Sequence, residues 1–257
     1  MIDQREIRRI LFGTGAPRRE ANAGLWLNKY LQDQDRDGSR LEVMKEVVEY
    51  IPEPGVYGAA FARWEKLLVD DYQAQTRQAR VKGRMIVGLG NESVLETSIC
   101  LHRTYGVPYI PGSALKGLAA NYAHQRLSED WQKGGKFHTI VFGDTDDAGY
   151  LTFFDAWYLP GTGFGRKALH PDVITVHHPK YYQGGDAPSD TDDPNPVSFL
   201  SATGTYLLAL AAPAFQGQTR WIDMTFQILA EALEHFGIGA KTSSGYGRME
   251  MIDSPLK

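Results

Sequence analysis

The chain has one cysteine, Cys100, among its 257 residues, so no disulfide can close within it and a reducing compartment suits it. It has no run of about 18 apolar residues, the length a membrane-crossing helix needs. Its opening Met1-Ile2-Asp3-Gln4-Arg5-Glu6 lacks the apolar centre of a secretion signal. These absences read as a cytoplasmic protein. Positive charge is not in excess either: the net charge is -4 and the isoelectric point near 6.0. That excludes a protein that grips a polyanion with its whole surface, and it confines any such contact to a local site or to one shared with partners. Solenoid repeats, low-complexity tracts and a Gly-x-Ser-x-Gly nucleophile elbow are also missing.

What is present is enough for a sizeable core, with 42% hydrophobic and 11% aromatic residues. Two stretches stand out. In Val107-Pro108-Tyr109-Ile110-Pro111-Gly112-Ser113-Ala114-Leu115-Lys116-Gly117 the prolines favour extended backbone, Gly112 permits a sharp turn, and Ser113 reads as the N-cap of a helix carrying Leu115, Leu118, Ala119 and Tyr122. Its first turn, with Lys116 nearby, offers a seat for a phosphate. The second stretch, Gly237 to Arg248, packs four glycines, three hydroxyl side chains, Tyr246, Lys241 and Arg248 into twelve residues. Such a loop brings backbone N–H groups close to an anion. It is not a Walker A loop, because Ala240 precedes Lys241 and a helical pattern precedes Gly237.

In chain order, helices are expected from about Asn22 or Ala23, over Leu41 to Tyr50 and over Tyr57 to Tyr72, where Tyr57, Ala60, Phe61, Trp64, Leu67, Leu68 and Tyr72 share a stripe that reads as core. Asp33 to Gly38 matches the first half of a calcium loop, but Met44 stands where the closing Glu belongs. A basic run of Arg77, Arg80, Lys82 and Arg84 leads into a strand expected at Val81 to Gly88. Then follow the Ser113 helix, strands at Tyr150 to Leu159 and Thr205 to Ala212, a helix from about Trp221 to Phe236, and a strand at Tyr246 to Ile252. The order βαββαβ predicts an α+β fold with a ferredoxin-like, RRM-like core over residues 81–257, behind an N-terminal helical region over residues 1–80, in a single domain. RNA-recognition domains of that kind carry nucleic acid on the open sheet. Two insertions interrupt the core, Gly88 to Tyr109 and Pro160 to Leu200. The latter interleaves Arg166, Lys167, His170, His177, His178, Lys180, Tyr181 and Tyr182, a mixture suited to clamping a single strand, and ends in an acidic stretch from Asp186 to Asp193.

Catalytic groups do not converge. His177 and His178 are neighbours on an expected strand and so point to opposite faces. His124 and His138 are isolated in sequence. Asp144, Asp146 and Asp147 suit a tight turn or a hard cation, and no cofactor or metal set emerges.

Five pieces taken together, Ala23 to Leu31, Val87-Gly88-Leu89-Gly90 with Glu96-Thr97, Gly106 to Gly117, Phe142-Gly143 through Asp155-Ala156, and Gly237 to Arg248, resemble the RAMP superfamily of CRISPR effector proteins. Within it they are similar to the Cas7-like family that supplies the sixth subunit of type III-B (Cmr) complexes. The resemblance implies a ferredoxin-like core and a non-catalytic RNA-binding and assembly role, capping the backbone filament near the 3′ end of the CRISPR RNA. Implied partners are CRISPR RNA, target RNA and other Cmr-type subunits, both Cas7-like backbone and small subunits. In that family target RNA is cut by an aspartate of the repeated backbone subunit; neither Asp144 nor Asp155 sits in a matching loop. The residues expected to hold RNA are Gly112, Ser113 and Lys116, with Gly239, Lys241, Thr242, Gly245, Tyr246 and Arg248. The alternatives are a metal-independent endoribonuclease using His177 with Lys180 or Tyr181, and a purely structural partner of other proteins.

Overall fold

The computed structural model describes residues 21–31, 38–51, 53–176, 195–213 and 220–252. Asp33 to Asp37, His177, His178, Lys180 to Tyr182 and Asp186 to Asp193 lie outside them, so the calcium-loop and histidine expectations fall there too.

Three helices come first: α1 (Ala23–Lys29), capped by the Asn22 side chain accepting from the Leu25 amide, α2 (Ser39–Tyr50) and α3 (Tyr57–Asp70). Strand β1 (Gln75–Val81) follows, then β2 (Tyr109–Ile110), α4 (Gly112–Arg126), α5 (Lys136–Phe142), β3 (Thr152–Phe153) and β4 (Ala156–Tyr158). A hairpin of β5 (Leu169–Val176) and β6 (Asn195–Ala202) forms its own two-stranded antiparallel sheet. The chain closes with β7 (Thr205–Ala211), α6 (Arg220–His235) and β8 (Met249–Ile252). The main sheet runs β2-β4-β7-β1-β8, all pairs antiparallel, with β3 also on β7.

Every residue of β7, Thr-Tyr-Leu-Leu-Ala-Leu-Ala, is buried. A continuous apolar strand of this kind means both faces of the sheet are covered. Tyr206, Leu208 and Leu210 join the main core with Leu115, Ala119, Phe226, Leu229 and Leu233 of α4 and α6. Leu207, Ala209 and Ala211 face the other way, onto Leu68, Ala74, Phe61 and Trp64 under α3. Part of the predicted stripe, Leu68 with the half-buried Phe61 and Trp64, therefore covers the sheet face that RNA-recognition domains leave open, whereas Leu67 and Tyr72, expected in the core, are exposed.

Three local expectations are corrected. The first core strand is Gln75–Val81 rather than Val81 to Gly88. The single strand expected over Tyr150 to Leu159 is two short pieces, broken at Phe154 and Asp155. The last strand begins at Met249, because Tyr246 to Arg248 belong to the preceding loop.

Candidate nucleic-acid interface

The basic run entering the sheet is largely neutralised within the fold. Arg80 pairs with Glu250, its cross-strand partner, Lys82 with Glu234 at 2.7 Å, and Arg77 with Asp223 at 3.7 Å while lying over the Phe226 ring. Arg84 differs. Its Nη1 meets only the Ser201 hydroxyl, at 3.2 Å, and no acidic partner is recorded for it among the described residues.

Arg84 opens a short extended segment, 84–88, that organises the site. Its carbonyls alternate between two edges, as extended backbone requires. On one edge Arg84 O accepts from the Gly247 amide at 2.8 Å and Ile86 O from the Ala240 amide at 2.7 Å. On the other edge Met85 exchanges bonds with Ala202 of the hairpin, and Val87 O accepts from the Cys100 amide at 2.8 Å. The glycine-rich loop is thus fastened to one side, and the segment leading to β2 and α4 to the other. The glycine-rich loop is bonded directly to residues 84–88, while the Gly112–Lys116 seat follows β2, whose Tyr109 amide donates to Cys100 O; no hydrogen bond or ion pair joins the two seats among the described residues.

The glycines of the loop serve close approach. At Gly239 (φ 89°) a Cβ would stand 2.0 Å from Ile86 O, and at Gly247 (φ 73°) 1.9 Å from Ile238 O. Between these anchors the chain swings outward. Lys241 takes left-handed backbone, φ 59° and ψ 31°, ahead of the 3-10 turn Thr242–Ser244. The amides of Lys241, Thr242 and Ser243 have no acceptor among the described residues, and neither do the hydroxyls of Thr242, Ser243 and Ser244 nor the Lys241 ammonium. Consecutive free amides after such a backbone reversal form an anion-binding concavity.

Tyr246 and Arg248 have other duties. The Tyr246 hydroxyl donates to Asp172 Oδ2 at 2.7 Å, and its ring lies edge-on to Phe199, which ties the loop to the hairpin. Burial and the Asp172 carboxylate push its pKa up to about 12. Arg248 Nη1 donates to Glu234 O at 2.8 Å. Gly245 (φ 88°) ends the 3-10 turn in open space.

At α4 the cap differs from expectation. Pro111 is the N-cap, its carbonyl accepting from Ala114 and Leu115, and Ser113 is an exposed first-turn residue without a capping bond. Gly112 is required by the approach of Phe153, since a Cβ would lie 2.2 Å from Phe153 O. Its amide already donates to Asp155 Oδ1 at 2.8 Å. The helix start therefore holds the chain's own carboxylate, and the Ser113 amide and the half-buried Lys116 are left without a partner among the described residues. Burial holds His102 below its ordinary pKa despite Asp155, and the same burial, with Asp155 adding, raises Cys100 and Tyr109. Asp144 forms a tight turn, its Oδ1 accepting from the Asp146 and Asp147 amides at 2.9 Å each. Among the described residues no cluster of three or more metal-ligating side chains forms, and no helix is long and apolar enough to cross a membrane.

A family model described as the RAMP superfamily matches residues 78–250. The chain belongs to the RAMP superfamily. Among RAMP relatives it is 29% identical over 238 aligned residues to the CRISPR system Cmr subunit Cmr6 of Pyrococcus furiosus, covering 71% of this chain and 69% of that protein. With the Cmr6 subunit of Saccharolobus solfataricus it shares 27% identity over 136 residues, 53% of this chain and 42% of the relative. A chain in a cryo-EM structure of the Type III-B Cmr-beta bound to cognate target RNA superposes with a TM-score of 0.64 at 19% identity, over 87% of this chain and 77% of that one. At that identity the likeness shows a shared fold. The RAMP match begins within β1, takes in the hairpin and the glycine-rich loop, and stops within β8.

Proposed function

We propose that this RAMP protein is a non-catalytic RNA-binding and assembly subunit of a type III-B CRISPR effector complex, capping the backbone filament near the 3′ end of the CRISPR RNA. Its partners on this reading are CRISPR RNA, target RNA and other Cmr-type subunits, Cas7-like backbone and small subunits among them. Support comes from the similarity to two Cmr6 subunits and from the fold shared with a chain of a Cmr assembly bound to target RNA. The core is read as ferredoxin-like; the strand order β4-β7-β1-β8, with α4 after β1 and α6 after β7, supports that.

The observation that carries the RNA-binding part is the glycine-rich loop. Three consecutive amides, three hydroxyls and Lys241 present donors without acceptors among the described residues, in a chain whose net charge is -4. Donors so arranged suit phosphate oxygens and read no bases, so the contact is sequence-blind and weakens with salt. The test is RNA retention by the assembled complex carrying Lys116→Ala and Lys241→Ala. Retention falls if the reading is right, while the chain stays folded; unchanged retention overturns it. Incubation of the purified protein with repeat RNA in chelator separates the endoribonuclease alternative, which requires cleavage that His177→Ala abolishes.

A further inference from the structure

We propose that the turn Gly161 to Lys167, at the base of the hairpin, is a second RNA contact, where a base stacks on Phe164 and the adjoining phosphates meet Arg166 and Lys167. This rests on the RNA-binding reading above and extends it to residues outside the glycine-rich loop.

Phe164 is the most exposed large apolar side chain among the described residues, at 76%. A lone exposed ring is ordinary; its setting here is not. The turn beneath it is fastened at four points. The Gly163 amide donates to the Tyr158 hydroxyl at 2.7 Å and the Phe164 amide to Thr203 Oγ1 at 3.0 Å. The Thr203 hydroxyl reaches Lys167 O at 3.2 Å, and the Arg166 amide donates to Gly163 O at 2.9 Å. The ring is therefore displayed on a fixed mount, which lowers the ordering cost of binding. Gly165 and Arg166 are both left-handed, with φ of 59° and 61°. Such backbone is unfavourable for arginine and is held only where the surroundings impose it.

Charge points to the same occupant. Arg166 and Lys167 are exposed, with no acidic partner recorded among the described residues. The nearby Glu53 carboxylate is engaged by the Gly161 amide at 3.0 Å, and with Glu49 it borders a 240 Å³ cavity that Arg166 and Lys167 also line. A planar apolar face beside two cations that make no ion pair among the described residues is the chemistry that holds single-stranded nucleic acid. The turn is also continuous with the glycine-rich loop. Phe164 lies 5.9 Å from the His170 ring, His170 pairs in register with Ser201, and Ser201 receives Arg84, whose carbonyl anchors Gly247.

The test measures binding of the 257-residue chain to fluorescein-labelled polyadenosine single strands across a salt series. Phe164→Ala weakens binding roughly five- to hundredfold with the salt slope unchanged, and Phe164→Tyr restores it. Arg166→Ala with Lys167→Ala lowers the slope of log affinity against log salt by about 1.4. If Lys241→Ala weakens binding but neither turn variant does, this proposal falls and the RNA-binding reading stands. Wild-type chain that does not bind overturns this contact. If the turn variants leave RNA affinity intact and instead impair assembly with neighbouring subunits, the turn is a protein contact and the proposal is wrong.

Discussion

Lys241 holds a conformation that costs stability, so changing it should separate function from folding. Its φ of 59° and ψ of 31° place an L-residue in the left-handed region, at a cost of roughly 1–2 kcal/mol. Lys241→Gly relieves that cost and returns about 0.4–1 kcal/mol through the greater freedom of glycine in the unfolded chain. The net expectation is a protein unchanged or up to about 1.5 kcal/mol more stable. The ammonium has no partner within the described fold, so its loss removes no ion pair. RNA binding moves the other way: one phosphate contact disappears, and the salt slope falls by about 0.7. Urea denaturation and RNA titration over a salt series, on the same preparations, give both numbers. A Lys241→Gly protein that loses more than about 1 kcal/mol, or keeps both its affinity and its salt slope, would refute the reasoning that this residue is strained for the sake of an anion.

Other substitutions test other parts of the account. Gly239→Ala drives a methyl group against Ile86 O at a left-handed position; a loss of about 2–3 kcal/mol in urea denaturation is expected, against about 1 kcal/mol for Gly245→Ala in open space. Among the described residues the buried Tyr206 hydroxyl has no partner, so Tyr206→Phe should leave the thermal midpoint unchanged or raise it, by up to about 1 kcal/mol in stability. Burial holds His102, His138 and His170 below the ordinary value of 6.5. The unfolded chain therefore binds protons that the folded chain refuses, and their contribution, complete above pH 6.5, is lost as the pH falls below it. Midpoints measured through this range should drop on acidification, and less steeply for His138→Gln.

Much of the fold was readable from periodicity. The amphipathic stripe of α6 and the unbroken apolar run of β7 are strong local signals, and both elements lie within a residue of where the pattern puts them. The first core strand was hidden because Gln75-Thr76-Arg77-Gln78-Ala79-Arg80-Val81 is mostly polar. Its cations are neutralised by Asp223, Glu234 and Glu250, far along the chain, and a local reading finds no such partner. Met85, Ile86 and Val87 look more like a strand, but the chain there makes only isolated bridges, to Ala202 and Gly239. Asp155 broke an expected strand for a similar reason: its carboxylate turns aside to the Gly112 amide, 43 residues away in sequence. The glycine-rich loop was recognisable from composition alone. Which of its groups stay free was not, since that depends on Asp172 holding Tyr246 and on Glu234 O holding Arg248.

The central claim is that the outward bend between Gly239 and Gly247 lies against the RNA backbone. Ultraviolet crosslinking of RNA in the assembled complex, with adducts mapped by mass spectrometry, tests it most directly. The account predicts adducts on the peptide spanning Lys241 to Arg248; a complex whose adducts avoid this chain, or fall on it only at residues remote from that bend, would contradict it.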